Sequence, residues 1–219
     1  RGGLAGSDDK TLDPNGERTI IDGENRIGTI FDISAGDGST FENLEIRNAA
    51  TKGFNKTGKG DVKFINCVFD SCGNNSTGKN DNLRGGAGRF IGADGNNTPV
   101  ATVTFEECVF SRNMYASNVD SWVGYGLAVA FQKCKRVVFD NCLFVSNGLG
   151  KACLKSGGGV GVNNVRGAAI YSESPLTIRN TEFRANRAGI SAAYGGVVYI
   201  KEAGSDSAFT NCLFLANSC

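Results

Sequence analysis

Phe64-Ile65-Asn66-Cys67-Val68-Phe69 decides the reading of this chain. The unit runs aromatic or Ile, one residue, Asn, usually Cys, one residue, Phe. It recurs at Phe105 to Phe110, Phe139 to Phe144, Ile178 to Phe183 and Phe209 to Phe214, with a looser first copy at Phe41-Glu42-Asn43-Leu44-Glu45-Ile46. Intervals of 23 to 41 residues between copies are those of a solenoid, in which each coil stacks on the last. Alternation places Val62 and Phe64 on one strand face, and the same holds for Val103 and Phe105, Val137 and Phe139, and Leu176 and Ile178. The phase breaks at Asn, after which Cys67 and Phe69, Cys108 and Phe110, Cys142 and Phe144, and Cys212 and Phe214 share a face. Asn suits such a break because it tolerates the left-handed conformation and its amide bonds nearby backbone. Stacking then predicts a ladder of Asn43, Asn66, Asn141, Asn180 and Asn211, with Glu107 the exception. Two strands joined by a one-residue bend, repeated and stacked, read as an all-β parallel β-helix.

A third strand is predicted from Gly-led apolar runs at Gly86 to Ile91, Gly126 to Phe131, Gly167 to Tyr171 and Gly196 to Ile200. The polar stretches before them, 73–84, 114–124, 148–166 and 187–194, are unequal and leave from one corner of the coil. Unequal loops on one corner of a solenoid usually form its working surface. Thr19 to Gly23 and Ile30 to Ile33 read as one more coil, giving six or seven in a single domain spanning 1–219. Residues 1–18 are expected to be a cap or a remnant of a preceding segment. Because the repeat runs on through Phe214 to Cys219 with no atypical final copy, a segment of a larger protein is expected.

Composition narrows the function classes. With 23 basic and 22 acidic residues the net charge is +1, which gives no electrostatic case for nucleic acid or an anionic membrane. No run of 18 apolar residues appears, so no membrane insertion is expected of this segment. His is absent, so His-dependent triads and metal centres are excluded and neither metal nor cofactor is expected. Eight Cys and the sequons at Asn55, Asn74, Asn75 and Asn96 favour an oxidising, extracellular or cell-surface setting, with those four Asn as glycosylation candidates. The sequons are read as lying between strands.

Four units end in Phe-x-x-Asn, at Phe110 to Asn113, Phe144 to Asn147, Phe183 to Asn186 and Phe214 to Asn217. Beside them stand Gly85-Gly86-Ala87, Gly167-Ala168-Ala169-Ile170 and Gly195-Gly196-Val197-Val198. This pairing resembles the repeats of chlamydial polymorphic outer-membrane proteins and related adhesin-like surface proteins with a pectin-lyase-like fold. The resemblance covers roughly residues 41–219 and implies a right-handed β-helix carried on a cell surface and used in adhesion. The chain departs from that pattern in lacking a strict Gly-Gly-Ala-Ile and any membrane-barrel segment.

The Cys row of 67, 108, 142 and 212 is read as small apolar filler, because Thr181 and Leu44 stand in for it in other coils. Cys72, Cys134, Cys153 and Cys219 lie off that row in or beside loops and are the disulfide candidates. The binding candidates are Tyr115, Asn118, Asp120, Trp122 and Tyr125, in a stretch that holds the only Trp. Exposed aromatics with neighbouring Asn and Asp suit stacking on a sugar and bonds to its hydroxyls, and they equally suit a protein anchor. Packing of Trp122 onto its own loop is the plainer reading. For catalysis, the outward position of the Asn-preceding strand reads Lys63, Thr104, Val138, Thr177 and Ala208, which is no acidic cluster, and no catalytic residue is assigned. The expected function is an adhesion or structural interaction module for a glycan or protein ligand. A polysaccharide lyase or hydrolase, and a filament block associating end to end, are the alternatives.

Overall fold

A computed structural model describes residues 18–34, 36, 38–73, 83–113, 123–148, 164–188, 193–194, 196–201 and 206–218. These residues are all-β, with no α-helix among them, and their strands form four sheets in which every neighbouring pair is parallel. Sheet I holds β3 (Ser39–Glu42), β6 (Val62–Ile65), β10 (Thr102–Glu106), β14 (Arg136–Asp140), β18 (Leu176–Arg179) and β22 (Ala208–Thr210). Sheet II holds β1 (Thr19–Asp22), β4 (Leu44–Arg47), β7 (Val68–Asp70), β11 (Val109–Ser111), β15 (Leu143–Val145), β19 (Glu182–Arg184) and β23 (Leu213–Leu215). Sheet III holds β8 (Leu83–Arg84), β12 (Val123–Tyr125), β16 (Asn164–Arg166) and β20 (Ala193–Tyr194). Sheet IV holds β2 (Thr29–Ser34), β5 (Lys52–Thr57), β9 (Gly88–Ile91), β13 (Val129–Gln132), β17 (Ile170–Ser172) and β21 (Val198–Ile200). Successive coils give one strand each to sheets I, II and IV, and those from β6 to β21 also give one to sheet III; each level is called a rung.

The register follows the repeat residue by residue. Phe41, Phe64, Phe105, Phe139, Ile178 and Phe209 align across sheet I. Ile46, Phe69, Phe110, Phe144, Phe183 and Phe214 align across sheet II. The aligned rings stack, with centroids 5.0 Å apart for Phe64–Phe105, 4.8 Å for Phe105–Phe139 and 4.5 Å for Phe110–Phe144. Phe90 and Phe131 of sheet IV meet Phe105 edge-on and close the core from a third side. Each buried Phe contributes about 1.5–3 kcal/mol, and each aromatic pair about 0.5–1.5 kcal/mol more.

The predicted bend between sheets I and II is present. Asn43, Asn66, Glu107, Asn141, Asn180 and Asn211 all adopt positive φ, between 49° and 55°. The ladder forms in pieces: the Asn66 amide donates to Asn43 Oδ1 at 2.7 Å, and that of Asn211 to Asn180 Oδ1 at 2.9 Å. A second bend was not foreseen. Asn48, Ser71, Arg112, Ser146, Ala185 and Ala216 also have positive φ, from 51° to 55°, and turn the chain inward after each sheet II strand. Behind this bend Asn113, Asn147, Asn186 and Asn217 form a second, interior ladder. The Asn147 amide donates to Phe110 O at 2.8 Å and to Asn186 Oδ1 at 3.0 Å, while its own Oδ1 accepts the Asn113 amide and backbone N–H. That uses both amide protons and both oxygen lone pairs, so a fully buried polar side chain sits at no net deficit.

Two sequence expectations are corrected here. Cys72 and Cys134 are not disulfide-bonded; both are buried free thiols. Cys72 occupies the place of Asn113 one rung earlier: its backbone N–H bonds Asn113 Oδ1 and its thiol donates to Ile46 O. Burial pushes the Cys72 thiol up to about 12 and the Cys134 thiol up to about 11. Cys67, Cys108 and Cys142 are buried free thiols as well, which agrees with the filler reading of their row. The second correction concerns the stretches read as loops before Gly85, Gly126 and Gly167. Their last two or three residues are the strands of sheet III. Each of these Gly is a left-handed bend between sheets III and IV, with φ of 60°, 57° and 75°. A Cβ on Gly126 would stand 2.0 Å from Val129 O, so no other residue fits without moving the bend. Sequence could not find these strands because two or three residues carry no readable period.

Candidate functional site

Sheets III and IV meet at the left-handed bends of Gly85, Gly126 and Gly167. In sheet III the inward row includes Gly124 and Val165, both buried, while Arg84, Tyr125 and Arg166 align on the outward row. In sheet IV the outward row is Asn55, Arg89, Ala130, Tyr171 and Tyr199. Tyr171 faces outward yet is only 1% exposed. Its cover comes from the adjoining sheet: the Tyr125 ring meets it edge-on at 4.8 Å, and the Arg84 guanidinium lies over it at 5.9 Å. Tyr199 stacks on its other side at 5.6 Å.

Cations and rings alternate along this corner. Tyr125 receives guanidinium groups from both neighbouring strands, Arg84 at 4.6 Å and Arg166 at 5.2 Å from its ring centroid. Arg166 also lies over Tyr199 at 5.7 Å. Glu173, just beyond β17, has both oxygens engaged, one by the Tyr171 hydroxyl at 2.6 Å and the other by the Gln132 amide at 3.0 Å. Burial pushes its carboxyl up, but these two bonds outweigh that and hold it below the ordinary value. Burial also pushes the Tyr171 phenol up, and the bond to Glu173 adds to the effect.

Of the predicted binding residues, Tyr125 stands at the centre of this corner, half-buried. Tyr115, Asn118, Asp120 and Trp122 lie outside the described residues, in the connection that enters β12. Arg84, Arg166, Tyr171 and Tyr199 were missed. Only their positions relative to the Gly bends could have pointed to them. Asn55 is inside β5 rather than between strands; its amide donates to Asp32 Oδ1 at 2.9 Å. Asn96 sits exposed in the turn capped by Asp94, whose carboxylate accepts the Asn96 and Thr98 backbone N–H groups. Asn74, Asn75, Cys153 and Cys219 lie outside the described residues.

A second polar surface is the outer face of sheet I. A shallow cavity of about 240 Å³ is lined by Thr40, Asp61, Lys63, Thr102 and Thr104 among others. Beside it Glu106 and Asp140 are register partners, one rung apart, on a row that sequence inspection passed over. Each is committed elsewhere: Glu106 to Lys63 at 2.8 Å and Asp140 to Arg179 at 2.9 Å. This is charge pairing along a sheet. Among the described residues no three His, Cys, Asp or Glu stand together as a metal site. Comparison of the chain with protein-family models, curated proteins and solved structures found no match.

Proposed function

We propose that this chain is a right-handed parallel β-helix of the pectin-lyase-like kind, serving as an extracellular or cell-surface interaction module that binds a glycan or protein ligand at the corner of sheets III and IV. The parallel pairing of all four sheets and the rung-by-rung register support the helical winding. One observation carries the functional reading. The unequal connections 74–82, 114–122, 149–163 and 189–192 all enter sheet III, whose outward row is the Arg–Tyr ladder. The first two rungs have no such insertion: residues 23–28 pass from β1 to β2 and 48–51 from β4 to β5. Much of the variable chain thus enters beside the aromatic and cationic side chains, and the other long addition, 92–101, lies between β9 and β10.

The test is a screen of the chain against a glycan array and a panel of immobilised surface proteins, repeated with Tyr125→Ala and with 114–122 replaced by a Gly-Ser linker. A ligand lost in both variants, with Tyr125→Ala still folded at the assay temperature, supports the reading. A ligand that binds both variants as it binds the parent chain would refute it. Mass spectrometry of the array polysaccharides after incubation addresses the lyase or hydrolase alternative, which requires new oligosaccharides to appear.

A further inference from the structure

We infer that the outer face of sheet II is a contact between two copies of this chain, packed side by side about a two-fold axis that runs along the coils. This contact is independent of any ligand at the corner. Each sheet II strand turns Ile46 or its Phe inward, so the residues on either side of it face out in two rows. One row reads Glu45, Val68, Val109, Leu143 and Glu182, and the other Arg47, Asp70, Ser111, Val145 and Arg184. In the rungs of β7, β11 and β15 four of these six outward residues are apolar and part-exposed, whereas on sheet I in the same rungs only Ile65 and Val138 are apolar. Leu213 and Leu215, both exposed, follow on the last rung of the same two rows. An apolar stretch bounded by charges is the pattern of a contact surface, with a desolvated centre and a polar rim.

The charges select the partner and its orientation. Arg47 pairs with Glu45 at 3.2 Å and Arg184 with Glu182 at 2.5 Å, so each end of the stretch carries an acid on the first row and a base on the second. Each pair is a dipole lying along its strand, and the pattern needs neither charge to be free. A two-fold axis along the coils keeps the rungs level and lays the first row of one copy on the second row of the other. Glu45 then faces the other copy's Arg47, Glu182 its Arg184 and Leu143 its Val145. Val68 meets the other copy's Asp70, whose charge Arg112 already balances at 2.6 Å. A two-fold axis along the strands instead, centred on β11, would lay Glu45 on the other copy's Glu182 and Arg47 on its Arg184, and like charges so placed repel. Across seven strands the face is about 29 Å long and about 10 Å wide at the usual spacings. That is small for a specific interface, so the dimer is weak and forms as concentration rises. A two-fold contact is self-complementary and closes at two chains.

Sedimentation velocity of the intact chain, from about 10 μM to about 1 mM, tests the proposal. The variants are Arg184→Glu, Glu182→Arg and Leu143→Gln, each with its thermal melt. The expected result is a parent chain whose mass rises from one chain toward two and no further. Arg184→Glu sets acid on acid across the two-fold axis, and Glu182→Arg sets base on base. Each alone should associate about fivefold or more weakly, and an equimolar mixture of the two should recover the association of the parent. Leu143→Gln should associate about tenfold more weakly and gain nothing from mixing with the parent's charge variants. With the axis along the strands, Arg184→Glu would face Arg47 and associate more tightly. The proposal is overturned if the parent stays a single chain at about 1 mM, or if its mass grows past two chains as an end-to-end stack would. It is equally overturned if Arg184→Glu associates as tightly as the parent or more so, or if mixing brings no recovery. Should a charge variant fail to fold, Leu143→Gln decides alone, and association equal to the parent's overturns the proposal.

Discussion

The wall formed by sheets I and II and the corner formed by sheets III and IV are built on the same rungs but obey different rules. On the wall one residue type is repeated at each level. Phe stacks on Phe, Asn bonds Asn, and the left-handed bend recurs at 49° to 55° in every copy. Self-complementary groups favour this, because a flat ring or a primary amide satisfies an identical neighbour above and below. At the corner the residues alternate, Arg84 then Tyr125 then Arg166, since a cation cannot stack on its own kind but can on a ring. The wall is therefore closed on itself, with its polar groups spent inside the protein. At the corner the polar side chains are cations laid over rings.

If the wall carries the stability, breaking one of its rungs should have the largest effect. Phe139 is fully buried, stacks on Phe105 and meets Phe131 and Phe144 edge-on. Phe139→Ala is expected to cost about 3–5 kcal/mol, read from the midpoint of denaturant unfolding. Next comes Asn147→Leu, at about 3 kcal/mol, because it strands the Asn113 N–H and the Phe110 carbonyl inside the core. The sharper form of that experiment is its comparison with Cys72→Ala, at the equivalent position of an earlier rung. There the thiol only donates weakly to Ile46 O, so the cost should be about 1 kcal/mol. Equal losses at the two positions would mean that the interior amides form no cooperative ladder. By contrast Tyr125→Ala at the corner, which uncovers Tyr171 and removes two cation–ring contacts, should cost about 1–2 kcal/mol, less than Phe139→Ala, while abolishing binding.

The wall was legible in sequence and the corner was not, for a physical reason. Identical residues recurring at Phe64, Phe105 and Phe139 announce a stack, and Asn at the phase break announces a left-handed bend. The second bend escaped because Ser71, Arg112 and Ala185 share no side-chain chemistry; only backbone geometry unites them. The interior role of Asn113 and Asn147 was visible as a motif but not as a ladder, since the motif does not say which way its amide points. Arg84, Tyr125 and Arg166 stand 41 residues apart in each step, on strands of two or three residues, and they alternate in type. A search for repetition passes over alternation. The disulfide expectation failed at Cys72 and Cys134 in the same way: proximity to loops in sequence suggested exposure, whereas the left-handed bends at Ser71 and Lys133 turn the two thiols inward.

Along the exposed side of sheet II the effects become smaller. Asp70 accepts the Arg112 Nε at 2.9 Å and Nη2 at 2.6 Å, and Ser111 and Ser71 donate to it as well. Burial pushes its carboxyl up, but these bonds prevail and hold it below the ordinary value. A carboxyl depressed in the folded state contributes stability that is complete above about pH 4 and is lost as pH falls through its folded value. Asp70→Asn should therefore cost about 1 kcal/mol at neutral pH, no more because Arg112 is largely in water, and should flatten the loss of stability below pH 4.

The smallest effect on stability, and the clearest on chemistry, concerns the thiols. A thiol reacts as its thiolate, and burial raises Cys72, Cys108 and Cys134 well above their ordinary value. Cys67 is lowered, first by its bond with the Cys108 thiol, but it is fully buried and offers a reagent no approach. Cys212, part-exposed on the last rung, is the described thiol that should label in the native protein. The other five should label only at the rate of unfolding, and a reductant should leave the thermal midpoint where it was. Rapid native labelling of Cys72 or Cys134, or a midpoint that falls on reduction, would move them from the wall to the corner side of the comparison. Labelling of Cys72 would show that the inward turn after sheet II opens to solvent, and labelling of Cys134 would show the same of the Lys133 bend after β13 of sheet IV.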